Sequence, residues 1–317
     1  MVRSTLVFLA GCALAQVLGL AGGVRAPLTL TAEQLEILSH MHLVNTQDGF
    51  GHALATIQIE GANVQIVNGK GHTRDTNGLG NLIVGYQEIA GPVDRTGSHN
   101  VIIGAANEYS SYSGLCNGGG NQLLGPGCTV LSGNESIARG TLTAVIGGSR
   151  NDIDGIGSVA VAGEFNSIVS DAGTGNLILG GGGARIAGGA HAHMILGGFG
   201  NSIEGGEYGV VAGGDSNSVT ESSFACVFGS SRARVFGGES GTMLGGKDNV
   251  MGTAADYLIA PTLVGGQGNS IVNEDYGTVV GGQHNTAAGK WATVTGGAHR
   301  SANGTNDWVA GGLFQDD

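Results

Sequence analysis

Pairs of glycines recur at a nearly fixed interval over most of the chain, and that interval limits the folds open to it. Gly281, Gly296 and Gly311 each open a Gly-Gly pair, 15 residues apart. The same frame runs back through Gly265, Gly245, Gly229, Gly213, Gly197, Gly180, Ala162, Gly147, Ser132 and Asn117. A period of this length held over a dozen units marks a solenoid, in which each repeat is one turn that cannot bury its own apolar face.

What stays constant inside the unit gives its shape. Two positions before the frame residue stand Leu115, Val130, Val145, Ala160, Ile178, Ile195, Val211, Val227, Met243, Leu263, Val279, Val294 and Val309, never a charge. A second apolar slot reads Ile137, Ile153, Ile168, Ile186, Ile203, Val219, Val235, Val250, Ile271, Ala287 and Ala302. β-Branched residues suit short strands, and glycine supplies the positive φ of tight corners. The expected fold is therefore all-β, a parallel β-solenoid. At ~4.8 Å per turn, about 13 turns give a rod on the order of 60 Å long.

Asparagine holds a fixed corner of the frame at Asn121, Asn151, Asn166, Asn201, Asn217, Asn249, Asn269 and Asn285. Its amide can bond the turn above, so a corner ladder is expected rather than a ligand groove.

Repeats such as Gly277–Gly289 and Ala292–Gly304 resemble the head repeats of YadA-type trimeric autotransporter adhesins, with Val294, Gly297, Ala302 and Gly304 at matching positions. The resemblance covers about residues 98–312. It implies a left-handed parallel β-roll packed as a homotrimer that adheres to extracellular surfaces. The first glycine of each pair stands where that family often has isoleucine, which thins the interior. The chain stops at Leu313–Asp317 just after the last repeat, so that family's membrane barrel is not expected. Residues 78–118 also resemble the opening of bacterial repeat proteins of this kind.

Residues 1–26 read as a signal peptide, with Arg3 before the apolar stretch Leu6–Leu20, and place the protein outside the cell or on its surface. Leu9-Ala10-Gly11-Cys12 has the form of a lipobox, a competing reading of the same segment. Residues 27–49 form the expected N-terminal cap: Thr31–Val44 is read as a helix opened by the capping box Thr31–Gln34 and ended by Asp48-Gly49. Residues 50–97 are read as wider first rungs, because Ile57, Ile59, Val64 and Ile66 alternate across a glycine turn, and 98–317 as the roll itself.

Sixty-three glycines among 317 residues, with only four prolines and no every-third spacing, exclude collagen. A net charge of −12 argues against nucleic acid and anionic membranes as partners. The acids are scattered. Asp152 with Asp154 and Glu204 with Glu207 are close only in sequence, and no nucleophile–base pair or cofactor loop accompanies them. Neither catalysis nor a cofactor nor a small-molecule substrate is expected. A carbohydrate-active enzyme on a β-helix is the alternative, and an ice- or mineral-binding solenoid is another, motivated by Thr242, Thr262, Thr278 and Thr293 at one repeat position.

Three places stand out as candidate sites. The insertion Thr253–Pro261 stretches one turn to 20 residues and carries Tyr257, Leu258 and Ile259; such insertions commonly do the binding. Its other reading is a loop folded back on its neighbour. Tyr109 and Tyr112 give the opening coils an aromatic segment. His191 and His193 would share a face if their segment were a strand, and three such pairs on a trimer axis would offer six nitrogens to a metal ion; two ordinary surface histidines is the plainer reading. Cys116 and Cys128 sit nearly one coil apart, as a disulfide or as free thiols; alternation would turn Cys116 outward next to an inward Leu115.

Overall fold

A computed structural model describes residues 29–88, 91–169, 173–189, 191–255 and 257–311. The expected signal peptide at 1–26 lies outside them. The chain divides into two units, residues 1–65 and 66–317.

The first unit departs from the sequence reading. Its helix is only Ala32–Ser39, with Thr31 and Gln34 forming the expected capping box. From Met41 the backbone extends, and Met41–Gln47 pairs antiparallel with Ala53–Ile59. Asp48-Gly49, read as a helix stop, is instead a hairpin turn, in which the Asp48 carboxylate accepts the amides of Phe50 and His52 at 2.9 Å each. Ala53–Ile59 is thus a hairpin strand and no solenoid rung; in its partner the half-buried His42 and Val44 alternate with the exposed Met41, Leu43 and Asn45, a strand period rather than a helical stripe.

The second unit is the solenoid, of about 14 turns. Its first short strands stack in parallel into a 15-stranded sheet running from Leu82–Val84 to Trp308–Ala310. The second strands stack into a 13-stranded sheet from Glu108–Tyr109 to Ser301–Ala302. The two inward files are Val130, Val145, Ala160, Ile178, Ile195, Val211, Val227, Met243, Leu263, Val279 and Val294 on one sheet, and Ile153, Ile168, Ile186, Ile203, Val219, Ile271, Ala287 and Ala302 on the other, each at most 1% exposed. The interior is therefore one continuous aliphatic column between the sheets.

Three inward assignments shift by one residue. Cys116 is fully buried and Leu115 is 37% exposed, because Cys116 pairs with Val130 and the register slips between Cys116 and Gly118. Ala138 and Met251, not Ile137 and Val250, fill the second slot. In both places the inward residue is the one two after the ladder corner, and its β-branched neighbour is turned outward. Cys116 and Cys128 are both free thiols in different files of the interior. Burial pushes the Cys116 thiol up to about 12.

Positive φ at the first residue of each Gly-Gly pair tolerates other side chains, as Ala162 (φ 58) and Ser132 (φ 53) show. The second residue meets a wall where it is a glycine at positive φ: a Cβ on Gly214 (φ 83) would run into the Ser230 carbonyl of the next turn.

The asparagine ladder is present. Asn217 shows its unit: its amide N–H donates to Asn201 Oδ1 at 3.0 Å, its own Oδ1 accepts the N–H of Ala233 at 3.0 Å, and its Nδ2 donates to the Ser230 carbonyl at 2.8 Å. The same step recurs at Asn269 and Asn285. Removing the Asn217 amide strands the buried N–H of Ala233 and takes one of two donors from the Ser230 carbonyl, which keeps the N–H of Asp215 at 3.0 Å. Asn217→Ala is expected to cost on the order of 2 kcal/mol, read as a lowered midpoint in thermal melting, whereas replacing the exposed Asn134 should leave the midpoint unchanged.

Candidate functional site: the outer faces and corners

The two sheets present opposite chemistry outward. On the 15-stranded sheet one outer file reads Ala144, Val159, Leu177, Met194, Val210 and Cys226 in strict register, and the parallel file reads Ile146, Val161, Leu179, Leu196, Ala212, Phe228, Leu244, Val264 and Val280. Several are well exposed: Ile146 42%, Leu179 38%, Phe228 41%, Leu244 41% and Val280 43%. On the 13-stranded sheet the corresponding outward positions include Ser167, Arg185, Ser202, Ser218, Arg234, Ser270, Thr286 and Ser301. The four threonines do form an unbroken file, Thr242 to Thr262 to Thr278 to Thr293, which continues the first apolar file.

Each turn also places a left-handed residue at two corners, and these corners carry stacked side chains. On one corner His284 stacks on His299 with ring centroids 5.2 Å apart, Arg150 lies over Phe165 at 5.3 Å, and Arg232 grips Asp248 through two hydrogen bonds of 2.6 and 2.7 Å. On the other, Tyr208 stacks on Phe224 at 5.1 Å and Tyr276 on Trp291 at 5.8 Å, with Lys290 over the Trp291 ring at 4.9 Å. Sequence reading missed these aromatics. The signal was there in the frame, since Tyr208, Phe224, Tyr276 and Trp291 stand at one repeat position two before an outer strand.

The candidate residues fare unevenly. Tyr257 is 65% exposed, but Leu258 is 1% exposed and Ile259 bridges Glu239, so the insertion does fold back into the coil and Leu258 is core. Tyr109 is 3% exposed and fills the inward slot of its turn, two after Asn107, while Tyr112 is half-buried. Tyr109 is thus no surface contact.

The histidines do not converge. Ala192 between them has φ 54, a left-handed corner rather than strand, which breaks the alternation that would have aligned them. His191 faces out, within 3.2 Å of the Thr174 hydroxyl. His193 is 1% exposed and belongs to a second ladder: its N–H donates to Asn176 Oδ1 at 2.9 Å, and its Nδ1 accepts the N–H of Gly209 at 2.8 Å. Gly209 has no side chain there, and a Cβ would come within 3.0 Å of that ring. Among the described residues no group of three or more His, Cys, Asp or Glu could hold a metal ion.

Asp152 and Asp154 line a shallow recess with Arg139, Ser167, Ile168 and Val169, and Asp152 pairs with Arg139 at 3.0 Å. Among the described residues no helix is long and apolar enough to cross a membrane. Comparison with protein-family models and with curated proteins gives no match.

Proposed function

We propose that this β-solenoid is a structural and adhesive repeat protein, secreted or held at the cell surface, that assembles as a homotrimer through its apolar sheet and attaches to matrix or glycan through the rest of its outer surface without turning anything over. The observation that carries this reading is the two-sided exterior. The paired apolar files run from Ala144 and Ile146 to Cys226 and Phe228, about 24 Å at ~4.8 Å per turn, and the second continues alone to Val280, longer than the scattered apolar groups a monomer normally leaves in water. Contact between copies covers them and leaves the serine, threonine and arginine face outward. Repetition and three-fold multiplicity then convert weak single contacts into avidity.

Light scattering at micromolar concentration is expected to return three times the chain mass. A double substitution, Leu179→Glu with Leu196→Glu, puts like charges side by side on that face and should yield a folded monomer with an unchanged circular dichroism spectrum. A wild-type monomer would sink the assembly. The enzyme reading rests on the recess at Asp152 and Asp154; polysaccharide cleavage that disappears in Asp154→Asn would replace the adhesive reading with it.

A further inference from the structure

The aromatic corner is interrupted at one place, and the interruption has the form of a binding recess. Phe224, Ser240, Ala260 and Tyr276 hold the same corner in four successive turns, as the backbone bonds Ser240 N–H to Ser223 O (2.9 Å), Ala260 N–H to Glu239 O (2.7 Å) and Tyr276 N–H to Ile259 O (2.8 Å) show. Phe224 has Tyr208 stacked behind it and Tyr276 has Trp291 behind it, with interplanar angles of 16° and 18°. Each stack therefore covers one face of its last ring and turns the other towards Ser240 and Ala260. The two facing rings are about 14 Å apart, three turns at ~4.8 Å. Subtracting a contact distance of about 3.5 Å at each ring leaves roughly 7 Å for a ligand that touches both.

We infer that this recess binds a short stretch of an uncharged or amino-bearing hexose chain. Aromatic faces carry negative potential and attract the C–H edge of a saturated ring. The exposed Glu239 and the half-buried Asp275, each beside this corner, offer carboxylate oxygens to sugar hydroxyls or to an amine. Asp275 is fixed in place by the N–H of Ile259 on Oδ1 at 3.1 Å and by Lys290 Nζ 3.7 Å from Oδ2. Glu239 and the net charge of −12 repel sulfated or uronic chains. The 20-residue turn that supplies Ala260 is also the longest departure from the repeat, so the recess occurs once in the described coils.

The inference rests on the reading of the molecule as an attachment protein, and names its ligand class. Calorimetric titration of the purified full chain with chitohexaose, cellohexaose and mannohexaose, and with a heparin oligosaccharide as the anionic counter-probe, tests it. At least one neutral or amino sugar should bind, and Phe224→Ala and Tyr276→Ala should each weaken it tenfold or more. Tyr208→Ala removes a ring from the same corner that does not face the recess and should change affinity less than twofold. Ser240→Trp fills the recess without removing a contact, at a corner position whose equivalent already takes Trp291 at φ 57, and should abolish binding. Silence of all three sugars at millimolar concentration, tighter binding of heparin, equal loss in Tyr208→Ala, or full binding by Ser240→Trp would each overturn the site. Such a failure in a protein that still scatters as a trimer removes only the glycan; a monomer that binds the sugar keeps the glycan and removes the assembly.

Discussion

Val211→Asp is expected to split the melting of the solenoid into two separate transitions and to lower both. Val211 is fully buried between the equally buried Ile195 and Val227 of the turns on either side. An aspartate there carries a charge into an aliphatic column that offers neither a partner nor water. The cost is on the order of 4 kcal/mol or more. Because each turn is stabilised by its neighbours, the damage spreads to them and uncouples the coils before Val211 from those after it. Asp215→Asn, on the exposed corner of the same turn, should melt within a degree or two of the wild type. Two variants that melted alike would show that the inward file is wrong.

The second large effect is a loss of stability in mild acid, centred on His193. Burial holds its pKa below the ordinary histidine value, with the nearby His191 adding slightly, while the backbone of Gly205 and Gly206 acts in the opposite, weaker sense. Its Nδ1 accepts the Gly209 amide, so the neutral ring carries its proton on Nε2, a buried atom without a hydrogen-bond partner. The Gly205 and Gly206 backbone lies close enough to favour a proton there but does not pair with it. A second proton would have to enter at Nδ1 and break the bond to Gly209.

The sign follows from that geometry. The folded-state pKa is depressed, so the unfolded chain takes up a proton first. Stability is complete above the unfolded value of about 6.5 and falls as the pH drops below it, by up to about 1.4 kcal/mol per pH unit. The carboxylates held low by hydrogen bonds, Asp48, Asp94 and Asp248, lose their stabilisation only at lower pH, so a titration from pH 7 to pH 5 isolates the histidine. His193→Asn keeps an acceptor for Gly209, as Asn176 does one turn earlier, and should flatten that dependence. Equal slopes in the two proteins would assign the acid sensitivity elsewhere.

The frame of the solenoid was legible because burial repeats it. Every turn from Val130 to Val294 places the residue two before its frame position in the core. The ladder corners were legible for the same reason, since an amide that recurs at one corner can only stack on itself. Errors arose where a local preference competed with the frame. Ile137 and Val250 look more like core than Ala138 and Met251, yet distance from the ladder corner decides. The histidine pair failed on one dihedral angle, at Ala192, that nothing in His-Ala-His announces. Leu258 and Tyr109 were misplaced because aromatic and apolar residues in a presumed loop look the same whether they face outward or fill a slot. The hairpin at Met41–Ile59 was missed because a capping box marks where a helix starts and says little about its length.

The asparagine ladder runs one way. Asn217 donates its backbone N–H to Asn201 Oδ1 of the turn behind it, and its own Oδ1 accepts the N–H of Ala233 of the turn ahead. A corner is complete only once the following turn has been laid down, and the newest turn always waits for the next. The ladder therefore has unlike ends, with an asparagine oxygen presented at one and a backbone N–H at the other. Each finished turn is a template for its successor, and threading can halt after any whole turn with only the leading corner unmet. A chain built this way can be lengthened or shortened by whole turns during evolution, since each new turn meets the same corner that its predecessor met.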